Sequence, residues 1–464
     1  MVREGLPYRG SIDFTFDLEM PLQFHSKEAP LPCRETLDEF APINAHFSTQ
    51  IHVFFTAVHE FEQLSTSAPG QGDDYIRAEG LTATIRVGKQ SFDRYKSCER
   101  RYYHHRLLTL SGGLVDSLLE LLCVTGLRLF HRRNGSDHPA SNVRPVSPRV
   151  FLRLATRPPN LRRIELPWLL TEHMPVRWEQ RELRHYTRPW AGPWRDVRRE
   201  FRAAVDDLHT RLPESVVGMR LWCWRPDIYS CDDQTRQLPN LTGDDGEEDP
   251  VSAALRTLAA RLEELDARAT LTPDLFRQPV APDGTWYFAG PRGEDPLGAE
   301  GGFAVGEQHY PPAVASAEDD EIGDPWPKVE GCLEDERAWD QFRTVPKRDK
   351  IKPLLLAFAA ALQGMPALEE AELFARLCWR PSEKRLDEYQ GASGEGVPYD
   401  EEVLHFRWQV KYVLGAHGEK GLLTWQVGDW RPHERVSQAF EAVGGKDGIR
   451  LNGSLLSYRG PREG

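Results

Sequence analysis

The sequence predicts an α/β fold, an irregular solenoid of helix–strand units followed by a C-terminal β-hairpin. Three observations predict it. First, a short amphipathic helix runs into an alternating hydrophobic stretch six times. The strand-like copies are clearest at Arg162-Arg163-Ile164-Glu165-Leu166, at Arg261-Leu262-Glu263-Glu264-Leu265 and from Ala367 to Phe374. Second, Cys223-Trp224-Arg225-Pro226 returns as Cys378-Trp379-Arg380-Pro381, with a fainter echo in Asp429-Trp430-Arg431-Pro432. Third, Leu404–Leu414 and Leu422–Val427 alternate on either side of a Gly415–Gly421 turn, the pattern of a hairpin.

Taken in order, Ile12, Phe14, Phe16 and Leu18 alternate with polar residues and read as one half-buried strand. Ile51, Phe54, Phe55, Val58 and Phe61 fall at helical spacing within a helix over 44–64, and Leu81, Ala83, Ile85 and Val87 alternate as a strand. A helix over 114–122 leads into a strand at 125–130. Ser147-Pro148 supplies an N-cap and first-turn proline for a helix through Leu154, which Pro158-Pro159 stops before the strand at 161–166. Helix 195–209 precedes strand 216–224. Asp249-Pro250 caps a helix through Arg261 that precedes strand 262–267. Helix 350–362 precedes strand 368–374, and a short helix over 434–443 follows the hairpin.

The strands begin near 81, 125, 161, 216, 262 and 368. Helix–strand units stacked in sequence are the signature of a leucine-rich-repeat-like array, although a regular one repeats every ~20–29 residues and this one is longer and uneven. An ordinary α/β domain with helix-joined strands has the same alternation and stands as the alternative. The corresponding division of the chain is an N-terminal segment over 1–40, a repeat body over 41–277, an irregular acidic insertion over 278–345, a last repeat unit over 346–400, and a hairpin with its helix over 401–464.

Composition excludes several classes. No apolar run reaches the ~18 residues of a membrane helix; the longest, Pro353–Leu362, has the length of a buried helix. The N-terminus lacks the apolar core of a secretory signal, so a cytoplasmic or nuclear protein is expected. The cysteines at 33, 98, 123, 223, 231, 332 and 378 show no metal-site spacing and read as free thiols. No metal or cofactor is expected. Between Arg144 and Arg211 the chain carries a net charge of +7 from arginine, and between Asp227 and Glu336 a net charge of −19. The arginines alternate with acids and tryptophans, and read as a salt-bridged helix surface rather than a nucleic-acid footprint. His104-His105, Asp232-Asp233, Asp244-Asp245 and Gly444-Gly445 lack the spacing of a ligand set or a phosphate loop.

Three candidate binding features remain. One is the strand-lined face on which Arg128, Arg163, Glu165, Arg220 and Glu372 alternate with core residues. The second is the Trp-Arg-Pro corner, Trp224 with Arg225 and Trp379 with Arg380, where proline ends a strand and arginine can stack on tryptophan. The third lies in the insertion, with Trp286 and Arg292 between an Asp283-Gly284 turn and Pro296.

The second half of the chain resembles a group of proteins from filamentous fungi described as F-box or F-box-like with a leucine-rich-repeat-like body. The matching stretches include Leu271-Thr272-Pro273-Asp274-Leu275-Phe276, Ala281 to Phe288, Gly290 to Pro296, Pro353 to Phe358, Met365 to Phe374, Trp379-Arg380-Pro381-Ser382-Glu383 and Thr424-Trp425-Gln426-Val427. The resemblance implies a substrate-recognition protein related to ubiquitin-ligase receptors, with a ligase adaptor as a further partner. The F-box module itself, a helical segment with a Leu-Pro-x-Glu-like opening, is not read in residues 1–60. The expected function is therefore a non-enzymatic protein-interaction module without a membrane partner. An enzyme or auxiliary factor acting on a fungal metabolite is the alternative.

Overall fold

A computed structural model describes residues 37–67, 80–86, 107–130, 146–170, 191–223, 234–235, 237–242, 248–269, 280–298, 301–310, 340–365, 368, 370–391, 405–415, 421–444, 449–452 and 456–457. The expected strand at 12–18, the His104-His105 pair and the loop acids at 232–233 and 244–245 lie outside them. The described residues of 1–227, 241–269 and 305–328 form one unit, and those of 228–240, 270–304 and 329–464 a second. Among them, no helix is long and apolar enough to cross a membrane.

The first unit is mixed α/β. Its helices are α1 (Leu37–Ser67), α2 (Leu114–Ser117), α3 (Pro148–Ala155), α4 (Ala191–Leu208) and α5 (Pro250–Ala259). Each precedes one strand: β1 (Leu81–Arg86), β2 (Val124–Phe130), β3 (Arg163–Leu170), β4 (Gly218–Cys223) and β5 (Glu264–Ala269). The strands form one parallel sheet in the order β1-β2-β3-β4-β5, so every crossover steps to the next position in the same direction. No strand order reverses, unlike a doubly wound sheet.

Period-two alternation decides what each sheet face meets. Ala83 and Ile85, Leu127 and Leu129, Ile164 and Leu166, and Met219 and Leu221 enter one core with Phe55, Phe151, Leu154, Phe201, Val205, Val251 and Leu258 from the helices. Helices α3, α4 and α5 pack on one another in sequence and cover that face. The intervening residues Thr84, Arg128, Glu165, Arg220 and Asp266 therefore point away from the helices.

The helix starts follow from local chemistry. Ser147 Oγ accepts from Arg149 N at 3.2 Å, with Pro148 at the first helical position. Asp249 Oδ2 accepts from Ser252 N at 2.8 Å ahead of Pro250 and α5. Polar side chains tie the turns before β3, β4 and β5 to the preceding turn. Asn160 Nδ2 donates to Leu122 O at 2.9 Å, Ser215 Oγ to Leu161 O at 2.7 Å, and the Arg261 guanidinium to the carbonyls of His209 and Pro213. These bonds satisfy turn carbonyls that no strand partner reaches.

The second unit begins with β6 (Phe288–Ala289) and β7 (Val345–Pro346), an antiparallel pair. It continues with α6 (Arg348–Gly364), β8 (Glu370–Cys378), α7 (Glu383–Gly391), β9 (His405–Val413), β10 (Leu422–Gln426), α8 (Glu434–Gly444), β11 (Ile449–Asn452) and β12 (Leu456–Ser457). Strand β9 pairs antiparallel with β8 on one edge and with β10 and β12 on the other, and β11 joins β10 in parallel. Helices α6 and α8 pack together over an aromatic core that includes Trp408, Trp425, Phe406 and Phe440. The ring of Trp425 meets that of Phe440 edge-on, with centroids 4.9 Å apart.

Two expectations need correction. The sixth strand does not extend the parallel array: β8 pairs antiparallel with β9 from Glu370↔Val413 to Cys378↔His405. Alternation records which side chains share a face and carries no record of strand direction, so the sequence could not separate these cases. Helix α2 ends at Ser117 instead of Leu122, because Leu118 adopts extended dihedrals (φ −66°, ψ 137°). Leu118 and Leu121 then reach the core from a turn.

Candidate functional site

The outward face of the parallel sheet is an ordered array of polar side chains. In register across the five strands stand Thr84, Arg128, Glu165, Arg220 and Asp266. Glu165 Oε2 accepts from Arg128 Nε at 2.7 Å and from Arg220 Nη1 at 3.4 Å, and Arg220 Nε donates to Asp266 Oδ2 at 3.0 Å. Charge thus alternates from β2 to β5, which is the favourable order for side chains ~4.8 Å apart on adjacent strands. The Glu165 side chain is 9% exposed, whereas Arg128 and Arg220 keep 31% and 37% of their surface.

A second row, two residues earlier, contains Thr82, Gly126, Arg163, Gly218 and Glu264. Both strands neighbouring Arg163 carry glycine here, and the Thr82 side chain fills the space over Gly126. The Arg163 side chain lies across Gly218 to pair with Glu264 on β5. A Cβ at Gly218 would sit 3.4 Å from Arg163 Nε, an ordinary contact distance. Arg163 and Glu264 are 48% and 60% exposed, the most open charges of the two rows.

Of the five face residues expected from the sequence, the structure brings four together: Arg128, Arg163, Glu165 and Arg220. Glu372 is on β8 in the second unit, where it accepts from Arg407 Nη2 at 2.7 Å. It leaves the candidate face for the same reason that β8 leaves the parallel sheet.

The remaining candidate features are placed as follows. Trp224 and Arg225 lie outside the described residues. Trp379 is buried and meets Tyr389 edge-on at 5.4 Å. Arg380 is half-buried, and its backbone exchanges hydrogen bonds with Gln341 at 2.8 and 3.0 Å. Trp286 is buried, with the Arg343 guanidinium 5.0 Å from its ring. Arg292 lies 4.4 Å over the Tyr389 ring and donates to Tyr389 O at 3.2 Å. Trp379 and Arg292 therefore meet on one residue, Tyr389, which no local motif singles out.

Around them the second unit holds a buried charge network. Arg343 has no exposed side-chain surface, and its Nη1 donates to Asp295 Oδ1 at 2.8 Å and to Phe288 O at 3.0 Å. Its Nε donates to Gln234 O at 3.0 Å. Burial raises the Asp295 carboxyl, but hydrogen bonds and charge from Lys347 and Arg343 outweigh it and hold the group below the usual carboxylate range. Burial pulls the Arg343 guanidinium below its ordinary value. Arg385 forks onto both oxygens of Asp340 at 2.7–2.9 Å and stacks 3.5 Å over Phe342. Burial and then the Glu294 carboxylate, to which the Tyr389 hydroxyl donates, push Tyr389 upward. These contacts fasten the insertion to the β-core. They present no nucleophile–base pair, and among the described residues no group of His, Cys, Asp and Glu forms a metal-holding cluster.

Several described arginines of the basic stretch 144–211 are paired with acids. Arg149 pairs with Glu200 and Asp207, Arg157 with Asp116, Arg198 with Asp249, and Arg202 with Asp206. Comparison with protein-family models, curated proteins and solved structures found no significant match to this chain.

Proposed function

We propose that the first unit is a leucine-rich-repeat-like array that binds a protein partner on its strand-lined face, without enzymatic chemistry. The observation that carries this reading is the alternating parallel sheet, on one face of which the described helices pack. Parallel sheets are commonly covered on both faces and apolar throughout. Here, among the described residues, each strand alternates, helices cover one face, and the other carries two registered rows of polar and charged residues. The turn-to-turn hydrogen bonds of Asn160, Ser215 and Arg261 hold successive units together, as a stacked array requires. A rigid face of this kind offers fixed charges and recognition without induced closure.

The test is affinity capture from fungal extract followed by reconstitution with the purified partner. The comparison is between the wild-type chain, the face variants Arg163→Glu and Glu264→Arg, and the helix-surface variants Arg202→Ala and Arg256→Ala. Loss of the partner from the face variants alone supports the reading; equal recovery by all four overturns it. Joint recovery of a cullin-type ligase adaptor would add substrate recognition, the role the F-box-like resemblance implies.

A further inference from the structure

The buried charge network of the second unit holds donors that meet no acceptor. Gln234, Gln341 and Arg343 are 0% exposed and Trp286 is 2% exposed. Among the described residues, Gln234 Nε2, Arg343 Nη2, Trp286 Nε1 and both amide ends of Gln341 are nevertheless without a hydrogen-bond partner. The first three atoms can only donate. A guanidinium nitrogen and an indole N–H have no acceptor state. The Gln234 amide is fixed in orientation, because its Oε1 accepts from Phe342 N at 2.7 Å and from Arg343 N at 2.6 Å. Native interiors keep few such atoms, since burying a donor without an acceptor is costly.

These donors surround one side chain. Arg343 Nε donates to Gln234 O at 3.0 Å, and Nη1 is held by Asp295 Oδ1 and Phe288 O. Nη2 is the arm left over. The guanidinium carbon is 5.0 Å from the centre of the Trp286 ring. Charge is unmet in the same direction. One carboxylate, Asp295, serves both Arg343 and Lys347, whereas the neighbouring Arg385 has Asp340 to itself. Arg343 and Lys347 against Asp295 leave a local charge of +1.

We propose that this cluster binds one small monovalent anion of chloride-like size, held by Arg343 Nη2, Trp286 Nε1 and Gln234 Nε2. The inference concerns the second unit and does not depend on the binding face of the first. A spherical ion accepts from several N–H groups that share no plane. The donors are sealed from solvent, so the ion enters without its water. A divalent oxyanion would overshoot the +1 and cost more to dehydrate.

The experiment is thermal unfolding of the full chain, read by tryptophan emission. Chloride is raised from zero to about 100 mM against gluconate, too large for the site, so that screening stays constant. An ion bound by the folded chain alone raises the midpoint saturably, by about 3–6 °C at ten times its dissociation constant. Gln234→Glu is the decisive variant. It keeps the oxygen that accepts from Phe342 N and Arg343 N, and replaces Nε2 with a carboxylate oxygen, a built-in anion of nearly the same shape. It is expected to unfold above the wild type without chloride and to lose the chloride response. Damage to the fold produces no such gain. Trp286→Phe keeps a ring beside Arg343 and removes one donor, and is expected to raise the half-effect chloride concentration about fivefold. A wild-type midpoint that ignores chloride would overturn the proposal and leave the donors to buried water. An equal chloride response in Gln234→Glu, a midpoint of that variant below the wild type without chloride, or an unchanged half-effect concentration in Trp286→Phe would each overturn it too.

Discussion

Asp295 Oδ1 accepts a hydrogen bond from Arg343 Nη1 at 2.8 Å, and the Arg343 side chain has no solvent-exposed surface. A guanidinium stays charged even when buried, and here the carboxylate facing it compensates that charge. Removing the carboxylate leaves the cation buried with Phe288 O and Gln234 O as its remaining acceptors. Breaking a buried pair from one side typically costs about 3–5 kcal/mol. Asp295→Asn is therefore expected to lower the urea midpoint of the second unit by a corresponding amount, read by tryptophan emission with Trp286 beside Arg343 as a reporter. A variant as stable as the wild type would show that Arg343 is held by its backbone acceptors alone.

The same carboxylate sets an acid limb. The folded pKa of Asp295 is depressed, burial raising it less than Lys347 and Arg343 lower it. Asp283 is depressed likewise: burial raises it, and Thr285 and Lys350 more than offset that. A group with a depressed folded pKa contributes stability above its unfolded value, about 3.9 for aspartate, and loses it as pH falls through the folded value. Stability is thus expected to fall below pH ~4 in the wild type. The gap between wild type and Asp295→Asn should close across that window, because protonation removes what the substitution already removed. A gap that persists at pH ~2, below the whole window, would contradict the assignment.

Sequence pattern reached some of this architecture and stopped at definite points. The caps at Ser147-Pro148 and Asp249-Pro250 were legible because a cap is a local arrangement of two or three residues. The outward positions Arg128, Arg163, Glu165 and Arg220 were legible because alternation fixes the face of each side chain. Their pairing across strands was not, since register is decided by contacts between segments 36 or more residues apart. Glu372 shows the same limit from the other side: its strand has the right alternation and a different sheet. Arg343 gave no signal, because its burial depends on Gln234, Phe288 and Asp295, three segments distant from it in sequence. Tyr389 was missed for that reason too, as its neighbours Arg292, Glu294 and Trp379 come from two separate stretches.

Cys123 offers a chemical check on the first unit. Burial, followed by the Glu62 carboxylate, pushes its thiol well above the ordinary cysteine range. Glu62 Oε1 also accepts from Cys123 N at 2.6 Å, which holds the acid beside the sulfur. The thiolate is the reactive form, so alkylation by iodoacetamide at pH ~8 should be more than about tenfold slower than for an unhindered cysteine peptide. Glu62→Gln is expected to speed the reaction. Peptide-level mass spectrometry over a time course reads both, and labelling of Cys123 at the free-peptide rate would refute the contact.

Gly284 tests the packing that fastens the insertion to the second unit. Its φ of 79° lies in the left-handed region, where a side chain costs about 1–2 kcal/mol. A Cβ there would also come within 2.5 Å of Gly302 Cα and within 2.8 and 2.9 Å of the Leu238 and Pro239 carbonyl oxygens. All three are backbone atoms, and Gly302 N is itself bonded to Asp283 O at 2.8 Å, so none can rotate away as a side chain would. Gly293 separates the two costs: its φ is 86°, but a Cβ there meets nothing within 4 Å. Gly293→Ala should lose only the dihedral term, about 1–2 kcal/mol. Gly284→Ala should lose that and the displacement of two chain segments, together more than about 3 kcal/mol. Urea unfolding of the matched pair measures the difference directly. Equal losses would mean that the segments at 238–240 and 301–303 yield freely, and that the insertion is held by its ion pairs rather than by close backbone contact.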